Sequence, residues 1–439
     1  MSGISTCSLL VSLLAVMACT PTAVEKYRLA FPESRPVTII DGDPFAGATT
    51  LDRRALINAV LARNPDVEAA RASWRRALTR VPQESAFEDP MLSYSMAPLS
   101  IVGDAPFGQR IEIEQKLPLT SRRELAAQVA LAEAEAMRED VKAVQLRLAT
   151  MASSLFDDYY VATRSLEVDE HHRTLIEQMR AAAEAQYIAG RASQQDPLQA
   201  DVELAMLERE RLMHETERRV AIASINGLLH RDLDAPLPPA PAQLVPTSES
   251  FDAATLTERA LRDRPEVRSQ DAKLRQGSSA RELADRTGTP DLGIMASYDS
   301  MWDMPEHRWM IGVSIDVPLA RERRAAARAE AEAQTDEARF ARLRAMDEIR
   351  VEVRVAIEKV TEARAALVLY EKRMLPAARL QAEAARNGFV ANQNEFQAVI
   401  AAERALRHAS LEVERARADV QRRLAELDRA LGVTAGGAR

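Results

Sequence analysis

Two cysteines, Cys7 and Cys19, are all that this chain of 439 residues contains. Cys7 lies within an N-terminal segment expected to be removed, so the mature chain can form no internal disulfide, and cysteine nucleophiles and thiolate metal clusters are excluded with it. Glycine is scarce at 15 residues and aromatics make up 4%. There is no Gly-rich phosphate loop, no Ser nucleophile elbow and no His-x-x-x-His pair. His171-His172 beside Glu170 comes nearest to a metal cluster. Neighbouring helical residues point about 100° apart, so this trio reads as a solvated helix face rather than one ion's ligands. Nothing here reads as an enzyme, and no cofactor is expected. Beyond the N-terminal segment no apolar run approaches the ~20 residues of a membrane helix. A chain of this kind crosses a membrane with strands or not at all.

What is present points to long helices. Charged residues reach 28%, and Ala, Arg, Glu and Leu are abundant. The net charge of −8 comes from 66 acidic against 58 basic residues, well mixed along the chain. No basic stripe with interleaved aromatics stands out, so nucleic acid is not expected as a partner. The run from Leu9 to Ala18 has the length of a signal-peptide core. Val16-Met17-Ala18-Cys19 resembles a bacterial lipoprotein signal, in which the cysteine becomes the lipidated N-terminus. Residues 1–8 lack Lys and Arg, and simple cleavage after Ala18 with Cys19 unmodified is the alternative.

The chain repeats itself at a distance of about 200 residues. Arg63-Asn64-Pro65-Asp66-Val67 returns as Asp263-Arg264-Pro265-Glu266-Val267, and Pro118-Leu119 as Pro318-Leu319. Tyr187-Ile188-Ala189-Gly190 matches Phe389-Val390-Ala391-Asn392. One large supersecondary unit is used twice. The expected segments are a lipoprotein-type signal peptide at 1–18, an extended leader at 19–50, a first repeat at 51–231, a Pro-rich linker at 232–250, a second repeat at 251–432 and a tail at 433–439.

Each repeat reads as a helix, a strand hairpin and a long helical hairpin. The first helix is expected over 51–80, between Thr50 and Pro82. The 68 residues from 119 to 186 carry no proline; as one helix they would reach about 100 Å. No single globular core buries such a helix, so long helices must pack side by side. Gly190 and Asn392 suit the left-handed turn that ends each long helix, with return helices over 197–231 and 395–432. Pro376 has no counterpart in the first repeat, which predicts a kink there.

The strand hairpins, 90–117 and 290–317, alternate strictly. Leu92, Tyr94 and Met96 alternate with serines, Ile111 and Ile113 with Arg110, Glu112 and Glu114, and Ile311, Val313 and Ile315 with Gly312, Ser314 and Asp316. Short segments with one apolar and one polar face are the signature of an outer-membrane barrel, whose polar face lines the lumen. Arg110, Glu112, Glu114, Asp299 and Asp316 are the expected lumen residues. Six of fifteen methionines fall in these hairpins, and Met91, Met295 and Met310 fall on the polar side. Thioethers suit Cu(I) or Ag(I); the alternative is flexible apolar filler.

In this order and spacing the motifs resemble the TolC-like outer membrane factors, across residues 51–432. They include Asn64-Pro65, Arg264-Pro265, Gln115-Lys116-Leu117-Pro118-Leu119, Ile311-Gly312-Val313-Ser314-Ile315-Asp316-Val317-Pro318-Leu319 and Tyr187-x-x-Gly190-x-x-Ser193. Overall similarity leans to the heavy-metal (Cus/Czc-type) branch. The resemblance implies a mainly α fold with a small β part. Duplicated α-helical hairpins form a coiled-coil tunnel, and four strands per chain contribute to a twelve-stranded barrel in a homotrimer. It also implies an outer-membrane location with a long periplasmic extension, Cys19 as the lipid anchor, and a membrane-fusion adaptor and an RND-type inner-membrane pump as partners. Adaptor docking falls to the helical tips, at Tyr187, Gly190, Arg191, Ser193, Asn392, Glu395 and Phe396, and Asp196 stands nearest to a constriction. The implied function is efflux, with metal cations as cargo. Drugs, organic solutes or a secreted polypeptide are alternatives, as is a lipid-anchored coiled-coil scaffold without a pore.

Overall fold

A computed structural model describes residues 22–36, 42–98, 108–118, 120–245, 251–302, 304–391 and 393–434. The signal segment, Cys19, Asn392, the end of the Pro-rich linker and most of the C-terminal tail lie outside the described residues. In the first half the elements are α1 (Thr22–Ala30), α2 (Arg53–Arg63), α3 (Pro65–Ser85), β1 (Met91–Ala97), β2 (Gly108–Leu117), α4 (Arg122–Ile188) and α5 (Gln195–Leu228). The second half gives α6 (Ala253–Asp263), α7 (Pro265–Arg286), β3 (Asp291–Asp299), β4 (Trp309–Asp316), α8 (Arg321–Leu369), α9 (Leu375–Val390) and α10 (Phe396–Ala430). From α2 onward the order of the first half recurs in the second, with α8 and α9 together in the place of α4.

Local chemistry fixes the matching starts and breaks. Asp52 caps α2 by accepting from Ala55 N at 2.8 Å, and Asp252 caps α6 by accepting from Thr255 N at 3.1 Å. The residue before each proline, Asn64 or Arg264, is extended, because a following proline excludes the helical conformation. The single helix expected over 51–80 is therefore two helices. Pro82 does not end the second of them; it lies inside α3, where its missing donor falls in the last turn and costs little continuity.

One other expectation changes, and two gain detail. The leader is not wholly extended: α1 forms where Ala23 and Val24 bury against Val81, Ala127, Ala130 and Leu131. The Pro-rich linker is not a loose tether. Ala240 and Leu244 join a core cluster, and Pro238 O accepts from Tyr159 OH at 3.1 Å. Before Pro376 the helix passes through a π turn, Tyr370–Met374, whose wider spacing accommodates a residue without an N–H.

The chain forms two compact units, each drawing on both halves. Among the described residues, the first comprises those within 22–36, 69–141 and 266–345. It holds the sheet and the helix segments around it, packed through Trp74, Ala77, Leu78, Ala134 and Val141. The second comprises the described residues within 42–68, 142–265 and 346–434 and holds the hairpin bundle. One of its cores gathers Leu56, Val60, Leu148, Phe156, Tyr160, Ile225 and Leu229; another gathers Ile176, Leu207, Phe389, Phe396, Val399 and Ile400. Surface ion pairs such as Arg138–Glu33 and Arg147–Asp66 contribute at most about 1 kcal/mol each, so these cores carry the packing.

Candidate functional site

The sheet is antiparallel throughout, in the order β1-β2-β3-β4, with β1 and β4 at its edges. Its register joins the four alternating patterns into two continuous faces. On one stand Leu92, Tyr94, Ile111, Ile113, Trp309, Ile311, Val313 and Ile315. They are exposed, Ile311 to 86% and Leu92 to 70%. No soluble sheet leaves its whole apolar face in water without a partner.

The other face carries the expected polar set. Ser95, Arg110 and Asp299 occupy one rung, and Ser93, Glu112, Ser297 and Met310 the next. Met91, Glu114, Met295 and Gly312 form a third. Arg110 donates to Glu112 at 2.6 Å, Lys116 pairs with Asp316 at 3.4 Å, and Ser314 donates to Glu114 at 2.9 Å. Two charged residues on this face, Lys116 and Asp291, were not among the expected lumen residues. Asp291 pairs with Arg122 at the start of α4, and Gly293 leaves space over which Glu114 and Ser314 meet. Because the side-chain period is two, every member follows from one register.

At the far end of the first hairpin Gly190 adopts φ +70°. Arg191 N donates to Gln186 O and Gly190 N to Tyr187 O, both at 2.9 Å, which closes α4 in a Schellman motif. Ser193 Oγ accepts from Gln195 N at 3.1 Å and opens α5. At the second hairpin Gln393 N donates to Gly388 O at 2.7 Å, the same five-residue closure. A Cβ on Gly388 would collide with the Asn394 amide, which packs there against the helix. Ile188 and Val390, at repeat-equivalent positions, are each 77% exposed and were not singled out from the sequence. The repeat already pairs them in the sequence, but only the structure shows that both side chains stay exposed.

Tyr187, Arg191, Ser193 and Glu395 are exposed at the tips. Phe396 is not: it is 1% exposed, with its ring centroid 5.4 Å from that of Phe389 inside the hairpin bundle. It cannot offer a docking surface, because its ring fills the core beneath the turn. Burial pushes the Asp196 carboxyl up, and the charge of Glu395 from the other hairpin adds to the rise. The carboxyls of the two tips thus feel each other's charge.

Between the hairpins lies a charged layer that the sequence did not reveal. Asp169 on α4 is 2% exposed and accepts from His214 Nδ1 at 2.7 Å and from Arg407 Nε at 2.8 Å. Burial raises its carboxyl, but these two partners outweigh that and hold it below the ordinary value. Arg407 also reaches Glu210, and Arg404 Nε lies 2.6 Å from Glu203. The helix face at 170–172 is only partly solvated. His171 is exposed but His172 is buried, the 100° step turning one ring outward and the other in. Burial, aided by Arg407, lowers His172 to about 4. Among the described residues no cluster of three or more His, Cys, Asp or Glu could hold a metal ion, and no helix is long and apolar enough to cross a membrane.

Residues 256–433 match the outer membrane efflux protein family. No curated protein sequence matches the chain. Among solved structures it is similar to CusC, described for conformational changes that accompany folding and transmembrane channel formation. That TM-score is 0.73 at 18% identity, covering 91% of this chain and 96% of that one. The outer-membrane channel OprN gives 0.71 at 18% identity, with 91% and 97% covered. The MtrE outer membrane channel of Neisseria gonorrhoeae, in its open state, gives 0.71 at 17% identity, also with 91% and 97% covered.

Proposed function

We propose, for a chain that belongs through residues 256–433 to the outer membrane efflux protein family and carries the fold of its channels, that it is the outer-membrane conduit of a tripartite efflux system with heavy-metal cations as its cargo. One observation carries the reading: a four-stranded sheet with two unpaired edges and an exposed face that is apolar except for Gln109 and Gln115. Lipid accepts that face but not the edges, since every backbone group at membrane depth needs a partner. Four strands fall short of the eight in the smallest barrels. Edge-to-edge closure by three copies satisfies both demands, with the polar face lining the pore.

The helical hairpins support the same assembly. On α5, Leu198, Val202, Met206, Met213 and Val220 form an exposed seam. Met206, Met213 and Val220 recur at heptad spacing, as a coiled-coil contact with another copy requires. We read 51–231 and 251–432 as the two repeats of one protomer, and the tips as the docking points of a periplasmic adaptor that couples to an RND-type pump. Tyr187, Gly190, Arg191, Ser193, Asn392 and Glu395 would make that contact, and the Asp196–Glu395 pair would narrow the closed end. Lumen acids Glu112, Glu114, Asp299 and Asp316, joined by Asp291, outnumber Arg110 and Lys116, which favours cations in transit.

Lipidation at Cys19 fits this arrangement. Thr22 Oγ1 donates to Glu124 Oε1 at 2.6 Å, beside the start of α4, which follows β2. Cys19 lies three residues upstream of Thr22 in the sequence. The test is fractionation and electrophoresis of the full chain: heat-modifiable trimers in the outer membrane are expected. A folded monomer that keeps its β signal in detergent would overturn the barrel.

A further inference from the structure

The polar face of the sheet has an anomaly that its role as a pore wall leaves unexplained. Among the described residues, its large apolar side chains are Met91, Met295 and Met310, with no Leu, Ile, Val, Phe or Trp. The opposite face shows the reverse, with Leu, Ile, Val, Tyr and Trp and a single methionine, Met96. If these positions needed apolar bulk alone, the branched residues so common on the lipid side would serve as well. What distinguishes methionine from them is its sulfur.

The register gathers these sulfurs. Met91, Glu114 and Met295 are successive members of one rung, and Gly312 completes it. Met295 lies over Gly312: a Cβ there would stand 3.0 Å from its Sδ, so the thioether already reaches across β4. Met310 is two residues along β4 on the same face, a diagonal neighbour about 7 Å away at Cα. Both side chains are long enough to converge on a point between them.

We propose that this face carries a transit site for soft monovalent cations, Ag(I) or Cu(I), in which Met295 and Met310 supply thioether ligands, Met91 extends the path across the sheet, and Glu114 supplies negative charge. Neutral thioethers favour soft cations over hard ones, and exposed sites of few ligands release as readily as they bind. The proposal rests on the efflux-channel reading, since it needs this face to line a pore.

The test uses the full-length protein in detergent, in a Cys19→Ser background so that neither a thiol nor a lipidated sulfur competes, with methionine methyl groups carbon-13 labelled. Silver nitrate in chloride-free buffer is the probe. The methyl signals of Met91, Met295 and Met310 should shift and saturate while that of Met96 does not, and zinc nitrate should leave all four in place. Leucine at all three positions should weaken silver binding by about tenfold or more in a protein that still assembles as trimers. Equal response of Met96, or undiminished binding by the leucine variant, overturns the thioether site and leaves the channel reading intact. Failure of the unsubstituted protein to form conducting trimers overturns both.

Discussion

Glu114 and Ser314, at equivalent positions of the two repeats, meet across an intervening strand: Ser314 Oγ donates to Glu114 Oε1 at 2.9 Å over Gly293. The pair spans β3 because Gly293 presents no side chain between them. A Cβ there would stand 2.8 Å from Glu114 Oε1 and closer still to Ser314 Oγ. Valine at Gly293 should therefore cost about 1–3 kcal/mol by overpacking. The midpoint for heat dissociation of the trimers should fall, and an unchanged midpoint would mean that the two side chains do not meet there.

Facing is testable at two nearby positions. Arginine at Val313, on the exposed apolar face, should cost about 2–4 kcal/mol if that face meets lipid near the midplane. Arginine at Ser93, on the opposite face beside Glu112, should be tolerated. Trimer yield in outer-membrane fractions reads the difference, and equal yields would mean the register has been assigned to the wrong faces.

Gly190 stands at φ +70°, where a side chain is strained. Valine there should cost on the order of 1–2 kcal/mol locally. Trimers and conductance should persist, whereas crosslinking to an adaptor and resistance to the exported substrate should fall. Full resistance with the crosslink retained would remove the tip from the docking surface.

Arg407→Ala strips Asp169 of one of its two partners inside the bundle. Breaking one side of a buried pair costs about 3–5 kcal/mol, while replacing both sides with apolar residues is often neutral. Thermal unfolding should therefore show a large drop for Arg407→Ala and a smaller one for Asp169→Leu combined with Arg407→Met. A double variant as unstable as the single one would show that the layer does more than satisfy its own charges.

His172 should make stability pH-dependent. Its folded value is lowered from 6.5 to about 4, so across that window the unfolded chain takes up a proton that the folded chain refuses. Stability from this group falls as pH drops through the window. Glu403, which burial pushes up, titrates with the opposite sign. Asp169 loses its contribution only below the ordinary carboxylate value. Charges facing His172 are Arg407 from α10, Glu203 from α5, and Asp169 and His171 from α4. His172→Leu should flatten the decline in unfolding temperature from about pH 7 to about pH 5. A slope unchanged by the substitution would assign the acid sensitivity elsewhere.

The sequence alone determined what depends on neighbours in the chain. Alternation sorted Ile111, Ile113, Val313 and Ile315 from Glu112, Glu114 and Ser314, because a strand turns successive side chains to opposite sides. Freedom from proline bounded α4, and Gly190 marked its end, because a left-handed turn favours glycine. What only the tertiary structure decided depends on partners distant in the chain. Met295 and Met310 become neighbours through strand register, and Phe396 turns inward because Phe389 and Val399 wait there to bury it. The residues at 22–30 carry no strong helical signal, yet α1 forms because Val81, Ala127, Ala130 and Leu131 receive its apolar side. His172 looked solvated until Glu203 and Arg407 arrived from two other helices. Local periodicity fixes which way a side chain points; only packing fixes what it points at.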